Sequence, residues 1–268
     1  MIAWAKFPSR WIKGYATGEA PNRAELDGAL KQLTWRDHRS AATYAIFVLM
    51  ALAVLTNNAG RVTKDRAAVG KVSATYDQLE ALTLLSRTSI SRALQLLEKV
   101  GALQIDRGGR SSTYELVGVA TPGDWCKLPQ DYLLQGGPAL RRLAFVRKYA
   151  RDKGTLNALK LYVVLLTLRV DKTNVTHLGY DKIEAYSGIR REDIQAAIAL
   201  LINYRLCTIV TSEEIDYEPG QRAYNRYRLL GFKATDVSVE QEVALSAMQA
   251  LYTDQARLTA SSAAAPAG

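Results

Sequence analysis

Tyr76-Asp77-Gln78-Leu79-Glu80-Ala81 returns 104 residues later as Tyr180-Asp181-Lys182-Ile183-Glu184-Ala185, and this recurrence decides how the chain is read. Residues 76–105 align without a gap on residues 180–209, and ten of the thirty positions are identical. Ile90, Ala93, Leu96 and Leu97 match Ile194, Ala197, Leu200 and Leu201. The order is kept outside the block. Trp4-Ala5-Lys6-Phe7-Pro8 recurs as Trp125-Cys126-Lys127-Leu128-Pro129, Tyr44 as Tyr162, and Tyr114-Glu115-Leu116-Val117-Gly118 as Tyr227-Arg228-Leu229-Leu230-Gly231. At roughly 100–200 residues per domain, the length predicts about two domains, and the repeat sets them on either side of about residue 120.

Each copy opens with a strand, W-x-K-[FL]-P, ended by its proline. An apolar helix follows, Ala41–Leu55 in copy one and Leu156–Val170 in copy two. In the latter, Leu156, Leu159, Val163, Leu166 and Val170 fall at helical spacing. Copy one then has a longer basic connection, Asn57–Ser73, which reads as a surface loop. Tyr76–Leu82 reads as a helix with Asp77 at its positive end. Leu84-Leu85 makes a turn, and Ser86 caps a second helix whose Ile90, Ala93, Leu94 and Leu97 form one apolar stripe. Gly101 ends that helix. Leu103–Asp106 and Thr113–Val117 read as a hairpin joined by Arg107-Gly108-Gly109-Arg110-Ser111-Ser112.

Helix, helix-turn-helix and hairpin, in that order, define a winged helix. The expected fold is α+β, mostly α with small β-hairpins, in two tandem winged-helix domains at 1–120 and 121–234. Copy two is expected to carry a longer wing, roughly Thr211 to Asn225. A C-terminal helix over 235–258 follows, with Val239, Val243, Leu245, Met248 and Leu251 on a mostly apolar face. The Ala/Ser/Pro stretch 259–268 reads as a disordered tail.

The chain carries a net charge of +9, which favours polyanionic partners. The distribution is uneven. Residues 1–118 hold 16 basic and 10 acidic residues, residues 138–153 hold six basic and one acidic, and residues 171–234 are balanced at nine each. The two cysteines, Cys126 and Cys207, sit in apolar runs and read as small buried hydrophobes in a reducing cytoplasm. The N-terminus shows no signal-peptide pattern. The longest apolar stretch, Ala41 to Leu55, is shorter than the ~20 residues of a membrane span, so a buried central helix and no membrane association are expected.

A DNA-reading helix needs short polar side chains for phosphates and arginines for guanine edges on one exposed face. Ser86, Arg87, Thr88, Ser91, Arg92 and Gln95 meet that need, and Arg107 and Arg110 flank two glycines that allow close approach to a sugar-phosphate backbone. The plain alternative is a solvated helix face. In copy two the equivalent helix begins Arg190-Arg191-Glu192-Asp193, and its two carboxylates repel phosphate. That copy either touches DNA through its arginine flank alone or serves partly as a protein-interaction surface. The segment Pro138–Lys153 is amphipathic, with Leu140, Leu143, Ala144 and Val146 against Arg141, Arg142, Arg147, Lys148 and Arg151. It reads as a solvated linker helix or as a phosphate clamp in which Arg141, Arg142 and Lys148 act.

Enzyme chemistry finds little support. The phosphate-loop pattern G-x-x-x-x-G-K-[ST] is missing, His38 and His177 lie far apart, and the acidic residues form no two-metal cluster. Tyr180 could suggest a recombinase nucleophile, but it is the repeat partner of Tyr76, which points to packing. No catalytic residue, cofactor or metal site is expected.

The chain resembles the tandem winged-helix replication initiators of plasmids and mobile elements. The resemblance rests on Trp125–Leu134 (W-C-K-L-P-Q-D-Y-L-L), the basic segment after it, and A-L-K-L-Y-x-x-L-L at Ala158–Leu166, and it covers about residues 1–234. It implies sequence-specific binding of double-stranded DNA at origin repeats, a homodimer that acts differently from the monomer, host replication proteins as partners, and a cytoplasmic, nucleoid- or plasmid-associated location. The acid-bearing helix at Arg190–Ala199 departs from a pattern in which both modules touch DNA. A winged-helix transcriptional regulator and a chromosome-segregation or interaction protein remain the alternatives.

An apolar stripe on a lone helix cannot stay in water, so the predicted C-terminal helix must pack on a module or a second subunit. Truncation after Thr235 is expected to lower the oligomer mass in light scattering and to weaken binding to paired sites while sparing a single site. Unchanged mass with reduced thermal stability would show instead that this segment completes the fold.

Overall fold

The computed structural model describes residues 4–9, 12, 28–63, 70–108, 111–120, 123–210 and 225–232. The first copy runs β1 (Ala5–Pro8), the short helices α1 (Ala29–Gln32) and α2 (Trp35–His38), the long α3 (Ser40–Thr63), β2 (Lys71–Ser73), α4 (Tyr76–Thr83), α5 (Arg87–Lys99), β3 (Leu103–Asp106) and β4 (Thr113–Leu116). The second runs β5 (Trp125–Leu128), α6 (Gln130–Leu134), a 3-10 turn at Arg141–Leu143, α7 (Ala144–Tyr149), α8 (Lys153–Leu168), β6 (Val175–Leu178), α9 (Tyr180–Ser187), α10 (Arg191–Asn203), β7 (Cys207–Ile209) and β8 (Asn225–Leu229). The architecture is α+β with small antiparallel sheets.

Both copies build the same three-stranded sheet, β2-β4-β3 in one and β6-β8-β7 in the other. The strand that precedes the helix pair and the strand that follows it lie on opposite sides of the last strand. Tyr114 in β4 faces Val72 and Ile105, and Tyr227 in β8 faces Thr176 and Ile209. Both tyrosines are buried, so the repeated tyrosine is the packing centre of each sheet. The connection Asn57–Ser73 is therefore not a plain surface loop. α3 continues to Thr63, and Lys71–Ser73 forms an edge strand because Val72 can bury itself between exposed Lys71 and Ser73. β6 fills the same place in copy two.

The helix pair follows its local chemistry. Thr75 caps α4 in a capping box with Gln78, donating and accepting at 2.9 and 3.3 Å. Leu84 takes the left-handed turn, Ser86 caps α5, and α5 buries Ile90, Ala93, Leu94, Leu96 and Leu97. α8 stops at Leu168, before Val170, where Arg169 turns to extended backbone. The segment 138–153 is not a single helix but a 3-10 turn and a short helix. It buries Leu140, Leu143, Phe145 and Val146 and leaves Ala144 exposed. Arg110, residues 211–224 of the expected second wing, the expected helix at 235–258 and the tail 259–268 lie outside the described residues.

The copies meet around a local two-fold. β1 pairs antiparallel with β5, and Lys6 stands opposite Lys127, its own repeat equivalent. The inner face buries Ala5, Phe7, Cys126 and Leu128. On the outer face Trp4 stacks on Trp125 at 5.5 Å, with Lys6 over Trp125 at 4.6 Å and Lys127 over Trp4 at 5.5 Å. Beneath this ribbon α3 packs on α8, so the described residues up to Phe232 share one core and one compact unit. In α3 every residue from Ala45 to Val54 is at most 1% exposed. Its Ser40–Asn57 part, longer than the apolar run suggested, has the length and hydropathy of a membrane span, yet 72% of it is buried inside the molecule. Cys126 and Cys207 are free, buried thiols, and burial pushes the Cys207 thiol up to about 12.

Lys160 of α8 is the anomaly of this core. It is 3% exposed, with no carboxylate partner among the described residues. Burial, with Lys31 nearby, pushes its ammonium down from 10.5 to about 8. Between these values the unfolded chain binds more protons than the folded one, so stability rises with pH across that window. Lys160→Met should add roughly 1–3 kcal/mol at pH 7 and flatten the rise, read by urea unfolding at several pH values. Loss of stability in the variant would mean that the ammonium is held by an interaction of its own.

Candidate nucleic-acid interface

α5 presents the polar face that the sequence marks. Ser86, Arg87, Thr88, Arg92 and Gln95 are exposed and Ser91 half-buried, opposite the apolar stripe that holds the helix to the core. The Ser86 hydroxyl accepts from the Ser89 backbone N–H at 3.4 Å, satisfying one of the free donors of the first turn. The structure thus brings these six residues together on one helix.

Arg87 is already engaged. Its guanidinium pairs with Asp77 and, at 3.2 Å, with Glu80, both on α4. Copy two repeats the first pair, with Arg191 on Asp181 and its guanidinium 5.7 Å from the Tyr180 ring. Asp77 and Arg87 are among the positions identical in the two copies, and the structure gives the reason: the pair ties the second helix to the first. Arg107 forms a fork with Glu98, at 3.0 and 2.8 Å, which binds the β3–β4 hairpin to α5. Hydrogen bonding from Arg107 holds the Glu98 carboxyl below its ordinary value. These pairs are exposed, and such pairs stabilise by about 0–1 kcal/mol, so a phosphate can take the guanidinium from its carboxylate. On the polar face of α5, Thr88, Ser91, Arg92 and Gln95 have no equivalent in copy two, where Glu192, Gln195, Ala196 and Ala199 stand.

The N-terminus of α10 is self-compensated. Arg190 meets Glu192 at 3.5 Å, Arg191 meets Asp181, and Asp193 meets Lys153 at 2.5 Å. The carboxylates expected to repel phosphate are real, and each is matched by a cation.

Positive charge without carboxylate partners gathers elsewhere. Among the described residues, Arg141, Arg142, Arg147, Arg151 and Arg205 form no ion pair. Arg141, Arg142 and Arg205 line an open cleft of about 230 Å³ together with Gln135, Asn203 and Tyr204. Arg142 lies over Tyr132 at 4.6 Å, and the Gln135 amide, turned with its oxygen inward, accepts from its Nε at 2.5 Å and Nη2 at 3.0 Å. The Tyr132 hydroxyl donates to the Arg205 carbonyl. A Cβ on Gly231 would stand 2.4 Å from the Tyr132 ring, so only glycine, here at φ +88°, admits that tyrosine. Phe145 stacks on Tyr204 at 4.1 Å, and the Leu140 N–H donates to the Leu82 carbonyl of α4 at 2.9 Å. The basic segment is thus wedged between the two copies. Lys148 stands at its edge, over the Tyr149 ring at 5.0 Å, and the hydrogen bond with Tyr149 raises its ammonium above the ordinary value. Arg205, Asn203 and Tyr132 escaped the sequence reading, although the repeat alignment marks Arg205 by setting it on Gly101.

Comparison of the chain with protein-family models, curated proteins and solved structures gives no match.

Removing the fork tests what the Arg107–Glu98 pair does. Arg107→Ala should leave global stability within about 1 kcal/mol, as for exposed pairs, but speed amide exchange along Thr113–Leu116. Unchanged exchange would show that the hairpin is held by its apolar residues alone.

Proposed function

We propose that the protein binds double-stranded DNA in a sequence-specific manner through two tandem winged-helix modules, and that it initiates replication of a plasmid or mobile element by binding origin repeats. The supporting observation is the repeated order of helix, strand, two helices and two strands, with the sheet order β2-β4-β3 and β6-β8-β7. In that arrangement the second helix of the first pair turns its apolar stripe to the core and offers a polar face to solvent. α5 offers hydroxyls, an amide and arginine there, the donor set that phosphates and guanine edges accept from.

Copy one is the base reader in this proposal. α10 has lost the polar face at Ala196 and Ala199, and its terminal charges cancel one another. These features favour a protein partner for this end of copy two, such as a second subunit or host replication proteins. The resemblance in Trp125–Leu134 and Ala158–Leu166 is what favours an initiator over a transcriptional regulator built from the same modules.

Selection of bound sequences from a random duplex pool, followed by titration of the preferred site, tests the reading. Arg87→Ala with Arg92→Ala is expected to abolish preference for that site, at about 1–3 kcal/mol per base contact. Arg92 is expected to carry the larger share, because Arg87 must first leave Asp77 and Glu80. Full preference in the double variant would move the reading surface away from α5, and a pool that enriches no sequence would remove the proposal.

A further inference from the structure

The two copies end their second helices in the same way, and one of them does so with the wrong residue. After α5, the Gly101 N–H donates to the Glu98 carbonyl at 3.1 Å and the Ala102 N–H to the Leu97 carbonyl at 3.0 Å. After α10, the Arg205 N–H donates to the Ile202 carbonyl and the Leu206 N–H to the Leu201 carbonyl, both at 2.8 Å. Both are the left-handed helix stop that glycine makes without steric cost. Gly101 sits there at φ +72°, whereas Arg205 holds the same position at φ +53°. A side chain in this region crowds its own backbone, so the arginine is less stable there than the glycine its repeat partner uses.

That arginine completes a site. Arg205 lines the cleft together with Arg141 and Arg142, and Gln135, Asn203 and Tyr204 complete the lining. No lining residue is acidic. Arg142 is held in place by Tyr132 and Gln135, so one arm of the site is oriented in advance. The last turn of α10 brings about half a negative charge, and three guanidiniums outweigh it. Arg141 and Arg142 come from the segment wedged against α4 of copy one, while Arg205 and Asn203 end α10 of copy two.

We infer that Arg141, Arg142 and Arg205 form a phosphate-binding cleft that holds a backbone phosphate of the bound duplex, at the end of α10 opposite Arg190 and Arg191. The thirteen residues of α10 put roughly 20 Å between those ends, at about 1.5 Å per residue. The cleft therefore reaches a phosphate that the N-terminus of α10 cannot. It opens to solvent and is lined by cationic and neutral polar side chains. The inference rests on the DNA-binding reading above.

The test uses a variant that strain relief protects from misfolding. Arg205→Gly removes the charge and installs the residue that copy one uses, so its melting temperature should equal or exceed that of the wild type. With a labelled duplex of random sequence, the affinity should fall about fivefold or more, and the slope of log K against log salt should lessen by about one. Arg141→Gln should lower both in the same sense. Millimolar inorganic phosphate added to the wild type distinguishes a site for free phosphate. If it raises the melting temperature of the wild type alone while both proteins bind duplex equally, the cleft takes the free anion and the inference falls. Unchanged affinity and salt slope in Arg205→Gly, with the wild type binding duplex, overturn the cleft and leave the DNA reading standing. A wild type that binds no duplex removes both.

Discussion

The structure depends on hiding the long apolar stretches of two helices, α3 and α8. Nearly every residue between Ala42 and Thr56 of α3 and every residue between Thr155 and Thr167 of α8 is buried, so neither stretch can face water. One small three-stranded sheet and a helix pair cannot enclose such a helix alone. The chain solves this by setting one copy against the other, so that each central helix forms part of the wall around its equivalent. The ribbon of β1 and β5 closes that arrangement, with Phe7 and Leu128 inward and the Trp4–Trp125 stack outward. A single continuous core follows. The two helix pairs are held at a fixed relation, and a partner that meets both meets a rigid surface.

Charge is distributed to match. One charged pair that the copies share works within each of them: Asp77 with Arg87, and Asp181 with Arg191, join the paired helices. Where the copies differ, the surfaces differ. α5 keeps Thr88, Ser91, Arg92 and Gln95, whereas α10 replaces them with one carboxylate, one amide and two alanines. Arg92 on α5 has no carboxylate partner, and further uncompensated arginines lie on the segment between the copies and at Arg205. A division of labour follows for the proposed DNA complex, with base reading at α5 and phosphate holding at the seam.

Much of this was legible because it is periodic or local. The helix pairs, the Ser86 cap, the Leu84 turn and the Gly101 stop depend on residues within a few positions of one another, and the repeat states the helix pair itself twice. Buried Tyr114 and Tyr227 were visible as repeated positions. β2 and β6 were not, since three or four residues with one or two apolar side chains become strands only when β4 and β8 supply the hydrogen bonds. The segment 138–153 shows the same limit. Its alternation of leucines and arginines suits a helix, yet packing against α4 and Tyr204 divides it into a 3-10 turn and a short helix.

The sequence by itself determined the repeat, the helix pair of each copy and the polar face of α5, because near-neighbour chemistry and apolar spacing are sufficient for those. Only the tertiary structure decided that β1 pairs with β5, that Arg87 and Arg107 are held by carboxylates ten and nine residues away, and that Arg205 meets Arg141 and Arg142. Each of these joins groups that are separated along the chain. Their meeting depends on how two copies of one unit close around a shared core, and no local pattern carries that information.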